Sequence, residues 1–570
     1  MSGIVLLLIA IVALVIAYIT YGSWLAKKWG IDPSRKTPAH EFNDGKDYVP
    51  TKAPVLLGHH FSSIAGAGPI NGPILAAIFG WVPVFLWLVI GGIFIGAVQD
   101  FSALFASARH KGQSIGIVIS ANVGRRAKKM FIVFAYLALL LVIAAFANIV
   151  AVTFNAFAPD GTLRAGAYNA GVAASVSALF MGAAVIFGFL IYRRQTPFWL
   201  TTIVGVAMVA IVIAIGMQIP IYLSTTVWML LVGVYIFIAS VSPVWVLLQP
   251  RDLLTSFLLY AMLIAAIIGI FSYNPTINLA PFYGFRGIHG TNFLFPMLFI
   301  MVACGAVSGF HSLVSSGTTA KMLDNEKDTK IIGYGGMLIE TCLAVIALIT
   351  IGFLSTRYTL ATGTPMDIFA SGLAQMITPL GGGGEIFSTV VWAVLILCVS
   401  AFALTSVDTA TRLARYMFAE FFLNEGETRD TVSGLKKVLI NPYFGTGVTV
   451  VLGISLGMGG FAIIWPLFGA ANQLLGGLAL LAVAAWLGNI GRDKKMFIIP
   501  VIFMLTATLT ALVIIIVQHL TLIVGGTINL PVVLRLVFAA VMVYLAFTLV
   551  VEGVQTFKKQ ARGEKTGIPQ

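Results

Sequence analysis

Apolar runs of twenty or more residues recur along almost the whole chain, and they leave few folds open. The first extends from Gly3 to about Ala26 without a single charge. A helix needs about 20 predominantly apolar residues to cross the hydrocarbon core of a bilayer. In a chain of 570 residues that is 59% hydrophobic and 10% charged, repeated runs of this length exceed what a soluble core could cover. The chain therefore reads as an all-α polytopic membrane protein, a single integral membrane domain over 1–570. The opening run has no basic segment before it and is too long for a signal h-region, so it reads as a retained first span. Cys304, Cys342 and Cys398 all lie in apolar runs, an odd number that suggests neither a disulfide framework nor a zinc spacing.

About fifteen spans are expected, at 3–26, 56–80, 82–108, 131–158, 169–191, 197–218, 224–246, 254–272, 292–316, 331–354, 386–410, 445–460, 462–489, 496–519 and 531–555. A formal charge of +13 could point to nucleic acid, but the placement of the charges argues for membrane topology instead. With the N-terminus outside, 30 of the 34 basic residues fall in cytoplasmic segments, including Lys46, Arg429 and Lys565. Arg164, Arg286 and Arg357 fall outside, and Arg535 lies near an outer end. A miscounted span would invert every later loop, so the unbroken alternation supports both count and orientation, with the tail at 556–570 cytoplasmic.

Two of these spans cannot be regular helices. Residues 58–73 read Gly-His-His-Phe-Ser-Ser-Ile-Ala-Gly-Ala-Gly-Pro-Ile-Asn-Gly-Pro, and residues 304–319 read Cys-Gly-Ala-Val-Ser-Gly-Phe-His-Ser-Leu-Val-Ser-Ser-Gly-Thr-Thr. Glycine and proline at this density break a helix, and broken backbone is tolerated at membrane depth only where it is buried in protein or lines a cavity. In both, a histidine is followed six residues later by glycine: His60 to Gly66 and His311 to Gly317. The first enters from the cytoplasm and the second from outside, so the two stretches are inverted relative to each other. Paired interrupted spans in two halves point to the midplane site of an inverted-repeat transporter. The halves are expected at 56–272 and 292–555, after an extra helix within 1–30. Close packing of small residues is the bland alternative, although packing does not call for histidines.

Residues 58–70 and 308–319 of these stretches, with Pro-Val-Trp-Val-Leu-Leu-Gln-Pro-Arg-Asp at 243–252, Ala-Leu-Thr-Ser-Val-Asp-Thr-Ala-Thr-Arg-Leu-Ala-Arg-Tyr at 403–416 and Trp-Pro-Leu-Phe-Gly-Ala-Ala-Asn-Gln-Leu-Leu at 465–475, closely resemble the carbon starvation protein A family. The resemblance implies an inner-membrane transporter of the amino acid, polyamine and organocation superfamily, with a LeuT-like core of inverted repeats and broken helices. It also implies uptake of peptides or small carboxylates such as pyruvate during carbon starvation. Such a core has five plus five helices, whereas the spans above give seven plus seven after the first.

Ionisable groups inside a membrane are costly and mark function by default. Glu340 lies deepest, about ten residues into its span, while Asp100 and Asp408 lie near cytoplasmic ends within reach of water. Asp408 with Thr405, Ser406 and Thr409 could form a cation or proton site; equally, it could pair with Arg412 one helical turn on. Arg251 and Asp252 read as a structural ion pair at a helix start on the membrane face. The substrate-binding candidates cluster at the breaks: His59, His60, Ser62, Ser63, Gly66 and Gly68 in the first, His311, Ser312, Ser315 and Ser316 in the second, with Asn472 and Gln473 facing packing or substrate. His60 and His311 are expected to share an aqueous cavity.

The leading function is a proton-coupled symporter for a small nutrient, since histidine titrates within reach of a proton gradient. A sodium-coupled symporter on the same scaffold is the alternative. A membrane hydrolase using His and Ser is disfavoured for want of a Gly-x-Ser-x-Gly motif, a channel for want of a repeated filter. No metal or cofactor is expected, as no ligand spacing such as His-Glu-x-x-His occurs. The partners expected are the substrate, protons or Na⁺, and the lipid bilayer.

Overall fold

A computed structural model describes the chain except for residues 46, 165, 195–197, 244–245, 291, 425–426, 428–430, 563 and 565–570. Lys46, Arg429, Lys565 and part of the 243–252 stretch thus lie outside the described residues, as does the end of the expected tail, 565–570. Among the described residues all regular structure is helical, joined by isolated β-bridges.

Among the described residues eleven helices are long and apolar enough to cross a membrane, or twelve if the bent pair Ala53–Ile64 and Gly68–Phe79 is one span. That is fewer than the fifteen expected, and three segments make the difference. Thr225–Val241 and Pro442–Gly457 are apolar but have 17 and 16 residues, which at 1.5 Å per residue reach about 25 Å, short of a core of about 30 Å. The run at 292–316 is split into Leu294–Met301 and Gly309–Val314.

Both expected breaks are present, each with a local cause. Ala53–Ile64 stops where Ala65 turns to φ −75°, ψ 57°, and a new helix begins at Gly68 with Pro69 in its first turn, where a missing N–H costs nothing. The two pieces meet at 46°. Gly80 then turns the chain with φ +93°, and a Cβ there would lie 2.6 Å from the Pro281 carbonyl oxygen, so glycine is required. In the second span the helix stops at Met301, resumes at Gly309 and loosens into a π-helical turn over Ser315–Thr319.

The helices Arg125–Phe154 and Glu385–Phe422 lie side by side at the centre, and Phe461–Asn489 packs on both Arg125–Phe154 and the second broken span. Gly3–Trp29, Trp199–Gln218 and Val532–Ala561 form the rim. Their exposed side chains include Val12, Ile16, Ile203, Ile211, Val537 and Phe547, a surface suited to lipid tails. At one end of the bundle Lys28 pairs with Asp493 at 3.3 Å, Arg109 with Glu326 at 2.6 Å, and Thr51 N–H donates to the Met322 carbonyl at 3.0 Å. At the other, Gly3 N–H donates to Pro275 O at 2.7 Å and Tyr283 O–H to Arg357 O at 2.8 Å. Loops given the same side by their charges are therefore neighbours in space.

The tightest backbone approach in this core is testable. A Cβ on Gly309 would lie 2.1 Å from Asn472 O and 2.4 Å from Gly476 N, whereas one on Gly182 would meet nothing. Gly309→Ala should lower the unfolding midpoint of the purified protein by several degrees, overpacking costing about 1–3 kcal/mol, with Gly182→Ala unchanged. Equal midpoints for the two variants would refute the packing described.

Candidate functional site

The two breaks face each other. A Cβ on Gly68 would run into Cys304 Sγ at 2.4 Å, and one on Gly72 would lie 2.9 Å from Met301 O. Gly66 likewise sits against Ser406 Oγ. These glycines admit the neighbouring chain rather than offering a contact of their own.

The polar groups freed by the second break are taken up by three amide side chains. Asn472 Oδ1 accepts from Phe310 N–H at 2.8 Å, and its Nδ2 donates to Ala303 O and Ser308 Oγ, both at 3.1 Å. Gln473 Nε2 donates to Phe299 O and Val302 O at 3.0 Å each. Gln99 Nε2 donates to Ser308 O at 2.5 Å. Asn472 and Gln473 thus hold the break from a helix outside it. Four of the five candidate serines are also engaged locally: Ser62 and Ser63 donate to His59 O, Ser312 to Gly309 O, and Ser316 to Ser312 O. Ser315 Oγ is buried without a hydrogen-bond partner.

Next to the break lies a cluster of three titratable side chains. His311 Nδ1 donates to Asp100 Oδ2 at 2.8 Å, and its Nε2 stands 3.4 Å from Glu340 Oε2. All three are fully buried. Asp100 is therefore not within reach of water as expected: the second broken span and the Lys330–Gly335 turn pack against its helix. Neither Glu340 oxygen has a hydrogen-bond partner. His60 Nδ1 shares a hydrogen bond with Thr319 Oγ1 at 2.9 Å, and its Nε2 has no partner. The open cavity between the two broken spans is lined instead by His59, Ser63, Gly317 and Thr318. The expectation of water around His60 and His311 is corrected accordingly: both rings lie in packed protein.

A second network centres on Arg251, which is also fully buried. Its guanidinium donates to Asp252 Oδ1 at 2.7 Å and to Tyr235 O–H at 2.8 Å, and it pairs with Asp408. Tyr235 O–H donates to Asp408 Oδ2 at 2.7 Å, and His59 Nδ1 lies 3.1 Å from Asp252 Oδ2. Two expectations change here. Asp408 pairs with Arg251 across helices and not with Arg412, whose Nη2 donates to Ala239 O and Ser242 O at 2.9 Å each. Arg251 and Asp252 do begin a helix as an ion pair, but inside the protein and not on its face. Thr405 donates to Ala401 O, and Ser406 to Ser63 O at 3.5 Å, so the guanidinium is the cation that Asp408 holds.

Gln99, Tyr235 and Thr319 were not singled out from the sequence. Gln99 was legible as a polar neighbour of Asp100 inside an apolar run. A lone tyrosine or threonine in such a run carries no signal, because both are ordinary there.

Removing one partner of a buried ion pair strands the other at about 3–5 kcal/mol. Arg251→Met, which leaves Asp252 and Asp408 unbalanced, should abolish most monodisperse protein after detergent extraction, while Asp408→Asn should be milder. Recovery of Arg251→Met at wild-type yield and unfolding midpoint would show that the network is not needed for assembly.

The family model described as "Carbon starvation protein CstA" matches residues 2–362 and 355–511. The chain is 34% identical to "Peptide transporter CstA" of Escherichia coli (strain K12), over 87% of this chain and 78% of that protein. It is 31% identical to "Peptide transporter CstA" of Bacillus subtilis (strain 168), over 88% and 87% respectively. It is also 31% identical to "Pyruvate/proton symporter BtsT" of Escherichia coli (strain K12), over 87% and 79%. With a family match along most of its length and relatives that are transporters, the chain belongs to the carbon starvation protein CstA family of membrane transporters.

Proposed function

We propose that this chain is a proton-coupled symporter of the bacterial inner membrane that takes up a small carboxylate such as pyruvate, or a short peptide. The observation that carries the reading is His311 held between Asp100 and Glu340, all three buried and each from a different element. The Arg251 network contains a guanidinium, which stays charged at any accessible pH, and so acts as a fixed clamp. The His311 cluster is built of groups that all exchange protons. Two buried carboxylates bearing full charge cost several kcal/mol, and proton uptake removes that cost. Proton occupancy is thereby tied to how the second broken span sits against its neighbours. A relative described as a pyruvate/proton symporter fits the same reading.

The finer architecture follows. We read fifteen spans, counting the short helices Thr225–Val241 and Pro442–Gly457 and the split run at 292–316 as one each, with two inverted halves of LeuT-like type after an extra first helix, and the N-terminus outside. Each half opens with a broken span. In each, a helical run with a π-helical segment follows, Gly92–Gly96 or Lys330–Gly335, and carries a carboxylate that faces His311. A long helix comes after it, Arg125–Phe154 or Glu385–Phe422, and these two pack together.

Coupling is tested in proteoliposomes with imposed gradients. The wild type should accumulate labelled pyruvate or dialanine when the outside is acidic. Glu340→Gln, which keeps the shape but cannot change charge, should lose accumulation by about tenfold or more and flatten its pH dependence. Accumulation driven by sodium and indifferent to pH would replace the proton with Na⁺. Orientation is tested by single cysteines at Arg286 and Glu564: the first should react with an impermeant thiol reagent in intact cells and the second only after permeabilisation.

A further inference from the structure

Recognition of a carboxylate needs donors that are not already spent, and at the breaks most are. The serines donate to their own helices, and the Phe310 N–H that opens the second half-helix is bonded to Asn472. Unspent positive charge lies one step away, in the cavity between the two broken spans and the Glu385–Phe422 helix.

That cavity is open to solvent and offers about 50 Å³ that water can reach, room for a few water molecules or a carboxylate group. Its lining includes His59 and Ser63 of the first broken span, Thr318 and Lys321 beyond the second break, and Arg412 and Tyr416 of the long helix. Three of the family-like stretches, at 58–70, 308–319 and 403–416, therefore meet on one space. Arg412 is only 6% exposed, and its Nε has no hydrogen-bond partner although Nη2 is fixed by two carbonyls. Lys321 makes no ion pair among the described residues; its ammonium lies over the Tyr48 and Tyr416 rings at 5.4 and 6.0 Å. The single carboxylate in the lining, Asp47, is exposed. The cavity lies at the end of the bundle where Thr51 meets Met322, the basic end.

We infer that this cavity is a carboxylate-binding vestibule on the cytoplasmic side of the breaks, in which Arg412 and Lys321 hold the substrate's carboxylate as it passes between the breaks and the cytoplasm. The inference rests on the carboxylate-uptake reading above. A buried guanidinium anchored by two carbonyls through Nη2 keeps its other donors in fixed directions, which a carboxylate oxygen can meet without reordering the side chain. Lys321 adds a mobile second charge, and the aromatic faces of Tyr48 and Tyr416 steady it.

The test is equilibrium binding of pyruvate, dialanine and dialanine amide to the purified full-length protein, with no gradient imposed. Arg412→Gln and Lys321→Gln should each weaken pyruvate and dialanine binding by about tenfold, the loss of one charge-assisted hydrogen bond. Dialanine amide, lacking the carboxylate, should bind the wild type as weakly as dialanine binds the variants. Lys437→Gln, an exposed lysine elsewhere on the surface, controls for net charge. Lys321→Gln keeps the test informative if Arg412→Gln fails to fold, since the Lys321 side chain makes no hydrogen bond or ion pair among the described residues. Bound pyruvate should also slow modification of a cysteine placed at Thr318. Pyruvate and dialanine binding at wild-type affinity in Lys321→Gln, with no protection at position 318, would overturn the vestibule while leaving carboxylate transport intact. A wild type that binds neither ligand would overturn the carboxylate reading itself.

Discussion

The rest of the structure depends on one requirement: backbone groups released by a helix break inside an apolar phase must all find partners. The second break meets it with Asn472, Gln473 and Gln99, which bond to Phe299, Val302, Ala303, Ser308 and Phe310. These amides come from two other helices, so satisfying the break also fixes where those helices stand. Gln99 is adjacent to Asp100, and the bond that secures the Ser308 carbonyl places the Asp100 carboxylate against His311. The His311 cluster is therefore positioned by the repair of the break and not only by its own hydrogen bond.

The same requirement separates the two charge networks by chemistry. Arg251 brings a permanent charge and several donors, enough to engage Asp252, Asp408 and Tyr235 together. Those groups come from three helices, which the guanidinium ties together. The His311 cluster has no such donor, and the oxygens of Glu340 remain without a hydrogen bond. One network is joined by a permanent charge, and the other is built of titratable groups alone.

Much of this was legible in the sequence, and the misses share a cause. The apolar runs and the clusters of glycine and proline report local constraints, so the membrane class and both breaks, near Ala65 and near Val302, could be read directly. Span count was less secure because Thr225–Val241 and Pro442–Gly457 sit near the length limit, where composition alone does not decide. Partners were the weak point. Spacing along one helix suggested Arg412 for Asp408, but Arg251 approaches from another helix and satisfies it with better geometry. Asn472 and Gln473 carry amides equally able to hold substrate or backbone, and only the tertiary fold shows them turned to the backbone. Water access failed for a similar reason, since a position near the end of a span says nothing about what packs over it, as Asp100 shows.

His59 and His60 are consecutive residues, yet they belong to different surroundings. Successive positions on a helix point about 100° apart, so His59 turns to Asp252 and the open cavity while His60 turns to Thr319. The half-helix Ala53–Ile64 therefore touches the fixed Arg251 clamp on one side and the second broken span on the other. Thr319 belongs to the same π-helical turn as Ser315, a few residues beyond His311. A shift of the second broken span that moved His311 relative to its two carboxylates would carry Thr319 with it, and through His60 would load the first half-helix against the clamp. Packed interfaces of this kind respond by switching between discrete arrangements and not by gradual bending. The geometry thus joins His311 to the wall of the cavity through a continuous series of contacts, by way of Thr319, His60 and His59.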